Sequence, residues 1–143
     1  MHSAPQPWRK LKEIWPSIDK SADALLHDDY WPGNTLWKDD SLVSIIGWEE
    51  PRLGMPAWDF AIIVQDAACF EMGIEDFVLS HYRRTSGQNL KDFDFWRRCI
   101  ALLQLPDPGV WVDGYKALGA SDITPDEVRA NHTASVERLL SEG

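Results

Sequence analysis

Residues 27–34 of this chain read HDDYWPGN, and this stretch decides how the rest of the sequence is interpreted. It places a carboxylate, Asp29, two residues after His27, and an amide, Asn34, five residues after that carboxylate. Transfer of a phosphoryl group to an alcohol needs a carboxylate near the attacking hydroxyl and oxygen ligands for the magnesium ions on the nucleotide phosphates. A single loop of this composition can place both beside one phosphate, so the stretch is a candidate site for that chemistry.

Two further motifs follow this loop in order. The pattern H-x-D-x-x-x-x-N alone is expected by chance on the order of once in a hundred or more chains of this size. Here IIGWE follows at 45–49 and GMPAWDFA at 54–61. Protein-kinase catalytic loops carry the first pattern's parts in the same order. Together the three motifs resemble the aminoglycoside phosphotransferase and choline kinase family, whose motifs read H-G-D-x-x-x-x-N, I-D-W/F-E and G-D-P-x-x-D-L-A. The resemblance runs from about Leu25 to Ala61.

The resemblance implies an α+β, predominantly helical fold. It is that of the C-terminal lobe of a protein-kinase-like fold, with a short β-hairpin next to the catalytic loop. Residues 1–143 are expected to form a single domain, with the catalytic and metal loops in 25–61 and a helical region in 58–143. Only about 25 residues precede His27, and they contain neither a glycine-rich phosphate loop nor a V-A-I-K strand. We therefore expect only the C-terminal lobe, without the ATP-binding lobe of the family.

The resemblance also assigns roles to individual residues. Asp29 matches the catalytic carboxylate that orients or deprotonates the substrate hydroxyl, and His27 matches the catalytic-loop histidine, whose expected role is to hold the loop in shape. Asn34 matches the amide that binds the cofactor through magnesium. Asp59 matches the family's last aspartate and is expected to brace the loop through backbone amides, which is compatible with a plain helix N-cap. The implied cofactors are ATP and Mg²⁺, and the implied substrate is a small-molecule alcohol.

The sequence departs from the family pattern at several positions. Gly47 stands where the family has the aspartate that grips magnesium, and Glu49 cannot replace it without rearrangement because side chains alternate in direction along a strand. Asp28 replaces a glycine and adds a second carboxylate beside Asp29, while Met55 replaces an aspartate expected to brace the loop. These losses argue against ATP binding by this chain and predict a kinase lobe that is catalytically impaired on its own.

Three other interpretations compete with an impaired kinase lobe. The chain could be a pseudokinase-type binding or scaffold module, which would keep the fold without the chemistry. It could be half of a split kinase, with another chain supplying the N-terminal lobe. It could also use His27 and Asp28 as the metal pair of an HD-type phosphohydrolase, although His81 and His132 fall on helical patterns without a second ligand four residues on.

Hydrophobic periodicity supplies the coarse structure. TLW at 35–37 and LVSII at 42–46 predict a hairpin joined by about four residues. Apolar spacing predicts helices at 8–15, 58–70, 74–84, 90–105 and 110–118, and a last helix that begins with Thr124 as its N-cap. Without an N-terminal lobe, apolar side chains near the hairpin should be exposed, which predicts self-association or an N-lobe partner through this face.

Composition narrows the class of protein. The formal net charge is −9, so nucleic-acid binding is not expected because phosphate contacts need a basic face. No apolar run approaches the roughly 18 residues of a membrane span, and the first residues lack the apolar stretch of a signal peptide. Cys69 and Cys99 lie in apolar helical patterns without metal-ligand spacing, which favours free thiols and a cytoplasmic location.

Overall fold

Helices dominate the structure, a computed structural model that describes residues 6–21, 23–103, 107–120 and 122–141. The helices are α1 (Gln6–Ile14), α2 (Pro56–Cys69), α3 (Glu75–Ser86), α4 (Phe93–Leu103), α5 (Val112–Ala117) and α6 (Pro125–Ser141). The strands are β1 (Ala24–Leu26), β2 (Thr35–Lys38), β3 (Ser41–Ile45) and β4 (Arg52–Gly54). Short 3₁₀ helices lie at Trp15–Ser17, Pro32–Asn34 and Pro108–Trp111. This confirms the predicted α+β, predominantly helical class.

The predicted hairpin is present as β2 and β3, with a tighter turn than expected. Asp39 and Asp40 both adopt positive φ, 48° and 58°. Two consecutive left-handed residues match the twist of a two-residue hairpin turn, and aspartate tolerates this conformation better than most residues. Lys38 therefore pairs with Ser41 in the ladder. The expected connection of four residues was wrong, because Lys38 and Ser41 belong to the strands and only Asp39 and Asp40 form the turn.

A second antiparallel pair, β1 with β4, was not predicted from the sequence. Leu26 lies opposite Arg52, and Ala24 lies opposite Gly54. A Cβ at Gly54 would stand 2.6 Å from Leu26 Cδ1, so any side chain at this position would force the buried Leu26 side chain to move. The catalytic loop begins immediately after Leu26, and α2 begins immediately after β4. The strand pair therefore places these two starting points side by side.

Helix α2 is the central support of the fold and packs against α4 and α6. Pro56 occupies its first turn, where a missing N–H costs nothing. Ala57 and Ala61 are fully buried, and these small side chains let α4 approach closely and place Phe93 and Ile100 in the same apolar cluster. Complete burial of a side chain as large as Ile100 contributes roughly 1.5–3 kcal/mol. The rigid helix that results carries two carboxylates of the candidate site.

The helix boundaries follow the sequence closely. The helix expected from Trp58 begins two residues earlier, at Pro56. The one expected over 90–105 spans Phe93–Leu103, and the positions beyond it, 104–106, lie outside the described residues. The N-cap expected at Thr124 is present, since its hydroxyl accepts from the backbone of Glu127 at 3.3 Å while the Glu127 carboxylate accepts from the backbone of Thr124 at 2.8 Å. Within the described residues, every helix is too short or too polar to span a bilayer.

Candidate active site

His27 holds the centre of the catalytic loop through both nitrogens of its ring. The side chain is 2% exposed, and its Nε2 lies 2.7 Å from the carbonyl oxygen of Ile46. The backbone N–H of Asp29 donates to Nδ1 at 3.3 Å. A carbonyl can only accept and an N–H can only donate, so these contacts correspond to the tautomer with its hydrogen on Nε2. These two contacts are of the kind that would hold the loop in shape, and the catalytic-site role assigned to His27 stays a prediction.

Asp59 braces the same loop from helix α2. Its Oδ2 accepts from the backbone N–H of His27 at 2.7 Å, and its Oδ1 accepts from that of Asp28 at 3.1 Å. This confirms the expected bracing through backbone amides. The compatible N-cap role is not found, because Met55 precedes the helix and Asp59 is already within its first turn. Hydrogen bonds to a charged acceptor are stronger than those between neutral groups. Asp59 therefore holds firmly the two backbone N–H groups at the start of the loop.

Asp29 and Asn34 are brought together, as the motif predicts. The side-chain amide of Asn34 donates to Asp29 Oδ2 at 2.9 Å and to the Asp29 carbonyl oxygen at 2.8 Å. The short 3₁₀ helix over 32–34 returns the chain toward Asp29 and makes this contact possible. The contact fixes one carboxylate oxygen, and Asp29 itself is exposed to solvent.

Gly47 lies against Asn34, so the three positions share one cleft. Its φ is +82°, a conformation that side chains other than glycine rarely adopt. A Cβ at this position would lie 2.7 Å from each of the Asn34 carboxamide atoms Cγ, Oδ1 and Nδ2. A carboxylate at position 47 therefore could not be accommodated unless Asn34 moved away from Asp29.

A magnesium ion does not fit this cleft as it is arranged. Among the described residues, no three His, Cys, Asp or Glu side chains come together in a metal-binding group. Magnesium sites normally use one or two carboxylates as well as substrate phosphates, and demand near-octahedral geometry. Asp29 and Asn34 already bond to each other, and Gly47 supplies no side-chain oxygen. The role of Asn34 as cofactor and metal ligand stays a prediction.

Asp28 does not face the cleft with Asp29. The residue is left-handed, with φ 68°, and its Oδ1 accepts from Arg52 Nη2 at 2.8 Å and from Trp58 Nε1 at 2.5 Å. The Arg52 guanidinium also lies over the Trp58 ring, 4.2 Å from its centroid. The second carboxylate that replaces the family glycine is therefore used to tie the loop to β4 and α2. Sequence analysis did not single out Arg52 or Trp58 for this contact.

The phosphohydrolase alternative disagrees with these contacts. Both ring nitrogens of His27 have backbone partners, and the carboxylate of Asp28 is engaged by Arg52. His132 is buried with its Nε2 3.1 Å from the carbonyl oxygen of Ala101, and His81 lies on α3 with Arg84 as its neighbour at 3.2 Å. All four side chains therefore make their contacts with other groups of the protein, and no group of three or more His, Cys, Asp or Glu side chains that could hold a metal occurs among the described residues.

A pocket that sequence analysis missed adjoins the loop. Its volume is about 240 Å³, and four aromatic side chains line it with one carboxyl group: Tyr30, Trp31, Trp37, Tyr115 and Asp66. The Tyr115 hydroxyl donates to the Asp66 carboxyl group, which is 7% exposed. Burial, and secondarily the negative charge of Asp29, raise the pKa of Asp66 to about 7. A single acid within the apolar run AIIVQDAAC at 61–69 was the sequence signal that could have revealed it.

Comparison with known proteins gives one positive result. A model described as the phosphotransferase enzyme family matches residues 3–110. The matched segment contains the catalytic loop, both strand pairs and helices α1 to α4, and it ends before α5. Searches of the curated proteins and of the solved structures gave no match.

Proposed function

The chain belongs to the phosphotransferase enzyme family, and from this membership we propose that it carries the acceptor side of an ATP-dependent phosphoryl-transfer site for a small alcohol. The hydrogen bond between Asn34 and Asp29 is the observation that carries the proposal. It fixes the orientation of a carboxylate that is otherwise exposed, and phosphoryl transfer depends mainly on positioning.

Asp29 is the group proposed to meet the acceptor hydroxyl. With Oδ2 held by the Asn34 amide, Oδ1 can accept the hydroxyl hydrogen and direct the oxygen's lone pair away from the loop. His27 fixes the backbone of Asp29, and Asp59 fixes the two residues before it. These residues bind and orient the alcohol, and magnesium-bound ATP supplies the phosphoryl group and the neutralising charge in the family.

We propose further that the 143-residue chain is catalytically impaired when it acts alone. Gly47 contributes no carboxylate, and the Asn34 side chain fills the space where one would begin. Loss of a single charge-stabilising element in phosphoryl transfer can reduce the rate by about 10³-fold or more. Asp29 can orient a hydroxyl, but orientation alone does not replace charge neutralisation.

Two measurements on the purified chain test these statements separately. Amino alcohols and sugars, added without nucleotide, should perturb the amide NMR resonances around Asp29 and Asn34, and Asp29→Ala should weaken the effect. No perturbation at any accessible alcohol concentration would overturn the acceptor-site proposal. With ATP and Mg²⁺ added, ³¹P NMR should detect no phosphorylated alcohol. Turnover that Asp29→Ala abolishes would overturn the proposed impairment.

A non-catalytic binding module is the second candidate, and the surroundings of Gly47 favour it. Position 47 excludes a metal-binding side chain, and this exclusion does not help phosphoryl transfer. The same exclusion does not prevent the binding of an alcohol. The two candidates differ in nucleotide binding. Heat of binding in a calorimetric titration with ATP and Mg²⁺ would favour the impaired kinase lobe, whereas a binding module need not show any affinity for ATP.

A further inference from the structure

Three elements of the fold meet at the carboxylate of Asp28. Its Oδ1 accepts from Arg52 Nη2 on β4 at 2.8 Å and from Trp58 Nε1 on α2 at 2.5 Å. Arg52 reaches this oxygen because it pairs with Leu26, two residues before Asp28, in the antiparallel pair of β1 and β4. The Arg52 guanidinium also lies 4.2 Å from the centroid of the Trp58 ring, so the two donors hold each other in place. We call these three residues, Asp28, Arg52 and Trp58, the Asp28 latch.

The backbone conformation of Asp28 is one that such contacts help to maintain. Its φ is +68°, in the left-handed region that residues with a side chain adopt at a cost. Asp59 Oδ1 accepts from the backbone N–H of Asp28 at 3.1 Å, which holds the main chain and leaves the side chain to the latch. The Asp28 side chain is 22% exposed, so solvent screens its bond with Arg52 less than that of a fully exposed pair. The latch therefore offsets the strain at position 28.

Position 55 does not supply the carboxylate that the family motif has there. Met55 is buried, and its Sδ accepts from the hydroxyl of Ser21 at 3.1 Å. A thioether is a weak acceptor and carries no charge, so it cannot replace a carboxylate that holds backbone or side-chain donors. The two departures from the family motif are therefore opposite in effect, since a carboxylate is absent at position 55 and an additional one is present at position 28.

We propose that Asp28 is a positioning residue, which acts through Arg52 and Trp58 to supply the bracing expected of an aspartate at position 55. Asp28 and Asp29 share a peptide unit, so a rotation of the backbone at position 28 would carry the Asp29 carboxylate away from the Asn34 amide, 2.9 Å from it. The latch therefore sets the direction of Asp29. The proposal deepens the proposed function and rests on it only where an alcohol is bound.

Asp28→Gly separates the latch from the backbone strain, because glycine removes both side-chain hydrogen bonds and also relieves the positive φ. Loss of the latch should outweigh the relief, so the melting temperature should fall. In NMR spectra the side-chain amide proton resonances of Asn34, displaced by the hydrogen bond to Asp29, should move toward those of a free carboxamide. Asp40→Gly is the control, since it removes an aspartate with φ +58° from the exposed hairpin turn. It should leave the Asn34 resonances unchanged and the melting temperature unchanged or higher.

Asp28→Asn and Arg52→Gln test whether the two residues act as one unit. Asparagine keeps the size of the side chain and tolerates a left-handed φ, so this variant keeps the test open if the glycine variant does not fold. Each single variant should displace the Asn34 resonances and weaken the binding of amino alcohols severalfold. The double variant should lose no more than the worse single variant, because the two changes break the same contact.

Three results would overturn the positioning role of Asp28. They are a higher melting temperature with unchanged Asn34 resonances in Asp28→Gly, additive losses in the double variant, and an alcohol affinity that stays the same in all these variants. The Asn34 resonances are measured without alcohol or nucleotide, so they test the latch even if the wild type binds no alcohol. Absence of alcohol binding by the wild type would contradict the proposed function alone.

Discussion

Position 47 combines a strained backbone with a crowded environment, and the two effects can be measured separately. Gly47→Ala should destabilise the protein by about 2–3 kcal/mol, because it adds a left-handed alanine and a contact with Asn34. Gly87→Ala shares the positive φ of +72° without a close neighbour and should cost only about 1 kcal/mol. Gly73→Ala has open space and no positive φ, and it serves as the control. Urea unfolding measures all three.

The critical result is the order in which these three variants lower the free energy of unfolding. If Gly47→Ala were no more destabilising than Gly87→Ala, the Asn34 side chain would not occupy the cleft as described. Gly47→Asp should destabilise the protein at least as much as Gly47→Ala does, and it should not recover turnover with ATP. Glycine at position 47 therefore means more than the absence of an aspartate, because the Asn34 amide fills the space that an aspartate side chain would need.

Asp59 is the residue on which the loop geometry most depends. Asp59→Ala removes the acceptor of two backbone N–H groups and should lower the free energy of unfolding by about 2–3 kcal/mol. Asp76→Ala removes another acid from the first turn of a helix, and its expected cost is only the helix-dipole contribution of about 0.5 kcal/mol. Hydrogen exchange should show the amides of His27 and Asp28 losing protection only in the Asp59 variant. Unchanged protection there would contradict the brace.

At the level of elements, the link between α2 and α5 makes stability depend on pH. The folded pKa of Asp66 is about 7, above the usual 3.8, so the folded state keeps a proton that the unfolded state has lost between these values. The contribution of Asp66 to stability is therefore greatest at low pH, falls as pH rises from about 4 to about 7, and is constant above that. The ionisable groups facing it are Tyr115 from α5, Asp29 and Tyr30 from the catalytic loop, and Cys69 on α2.

Asp66→Asn isolates this effect. The difference in unfolding free energy between the variant and the wild type should grow in favour of the variant by about 2–4 kcal/mol from pH 4.5 to pH 7.5. Other titrating groups cancel in the difference, including His132, whose pKa is lowered by burial. A difference that is constant over this range would show that Asp66 ionises normally.

Local motifs made much of the site predictable, and long-range contacts explain what was missed. Asp29 and Asn34 lie five positions apart, so the motif that contains them also brings them together. Strand β4 has three residues, too few for an alternating pattern to show. Asp66 and Tyr115 are 49 positions apart, and nothing in either helix's periodicity indicates that their side chains meet.

The turn at Asp39 and Asp40 shows the same limit at a smaller scale. The composition of this turn correctly predicted a hairpin. The length of the loop depends on whether the two aspartates adopt positive φ or an ordinary strand conformation. The position of Asp28 was also unforeseen, because its carboxylate could have joined Asp29 or turned outward. The pairing of Arg52 with β1 decided between these arrangements, and it is a tertiary contact.

On the scale of the whole molecule, an exposed apolar surface surrounds the small sheets. We define the hairpin face as Leu36, Trp37, Leu42 and Val43, whose exposed fractions range from 45% to 64%. The hairpin forms a sheet of only two strands, so within the described residues its outer edges have no strand partner. Open edges with exposed apolar side chains are a template for pairing with another chain. The occupant we propose is a second copy, since each copy offers the same open edge.

Self-association through this face should depend on both concentration and salt. A net charge of −9 on each copy opposes association at low ionic strength, so raising salt from about 20 mM to 300 mM should strengthen it by shortening the screening length. Val43→Ser removes an apolar side chain that is 64% exposed on β3 and should weaken association severalfold. Val110→Ser makes the same chemical change at a residue that is 68% exposed on the 3₁₀ helix at Pro108–Trp111 and should have no effect. Sedimentation velocity over a concentration series measures both variants against the wild type. A chain that stays monomeric at high concentration and high salt, or an equal response to the two serine variants, would show that the hairpin face does not pair with a second copy.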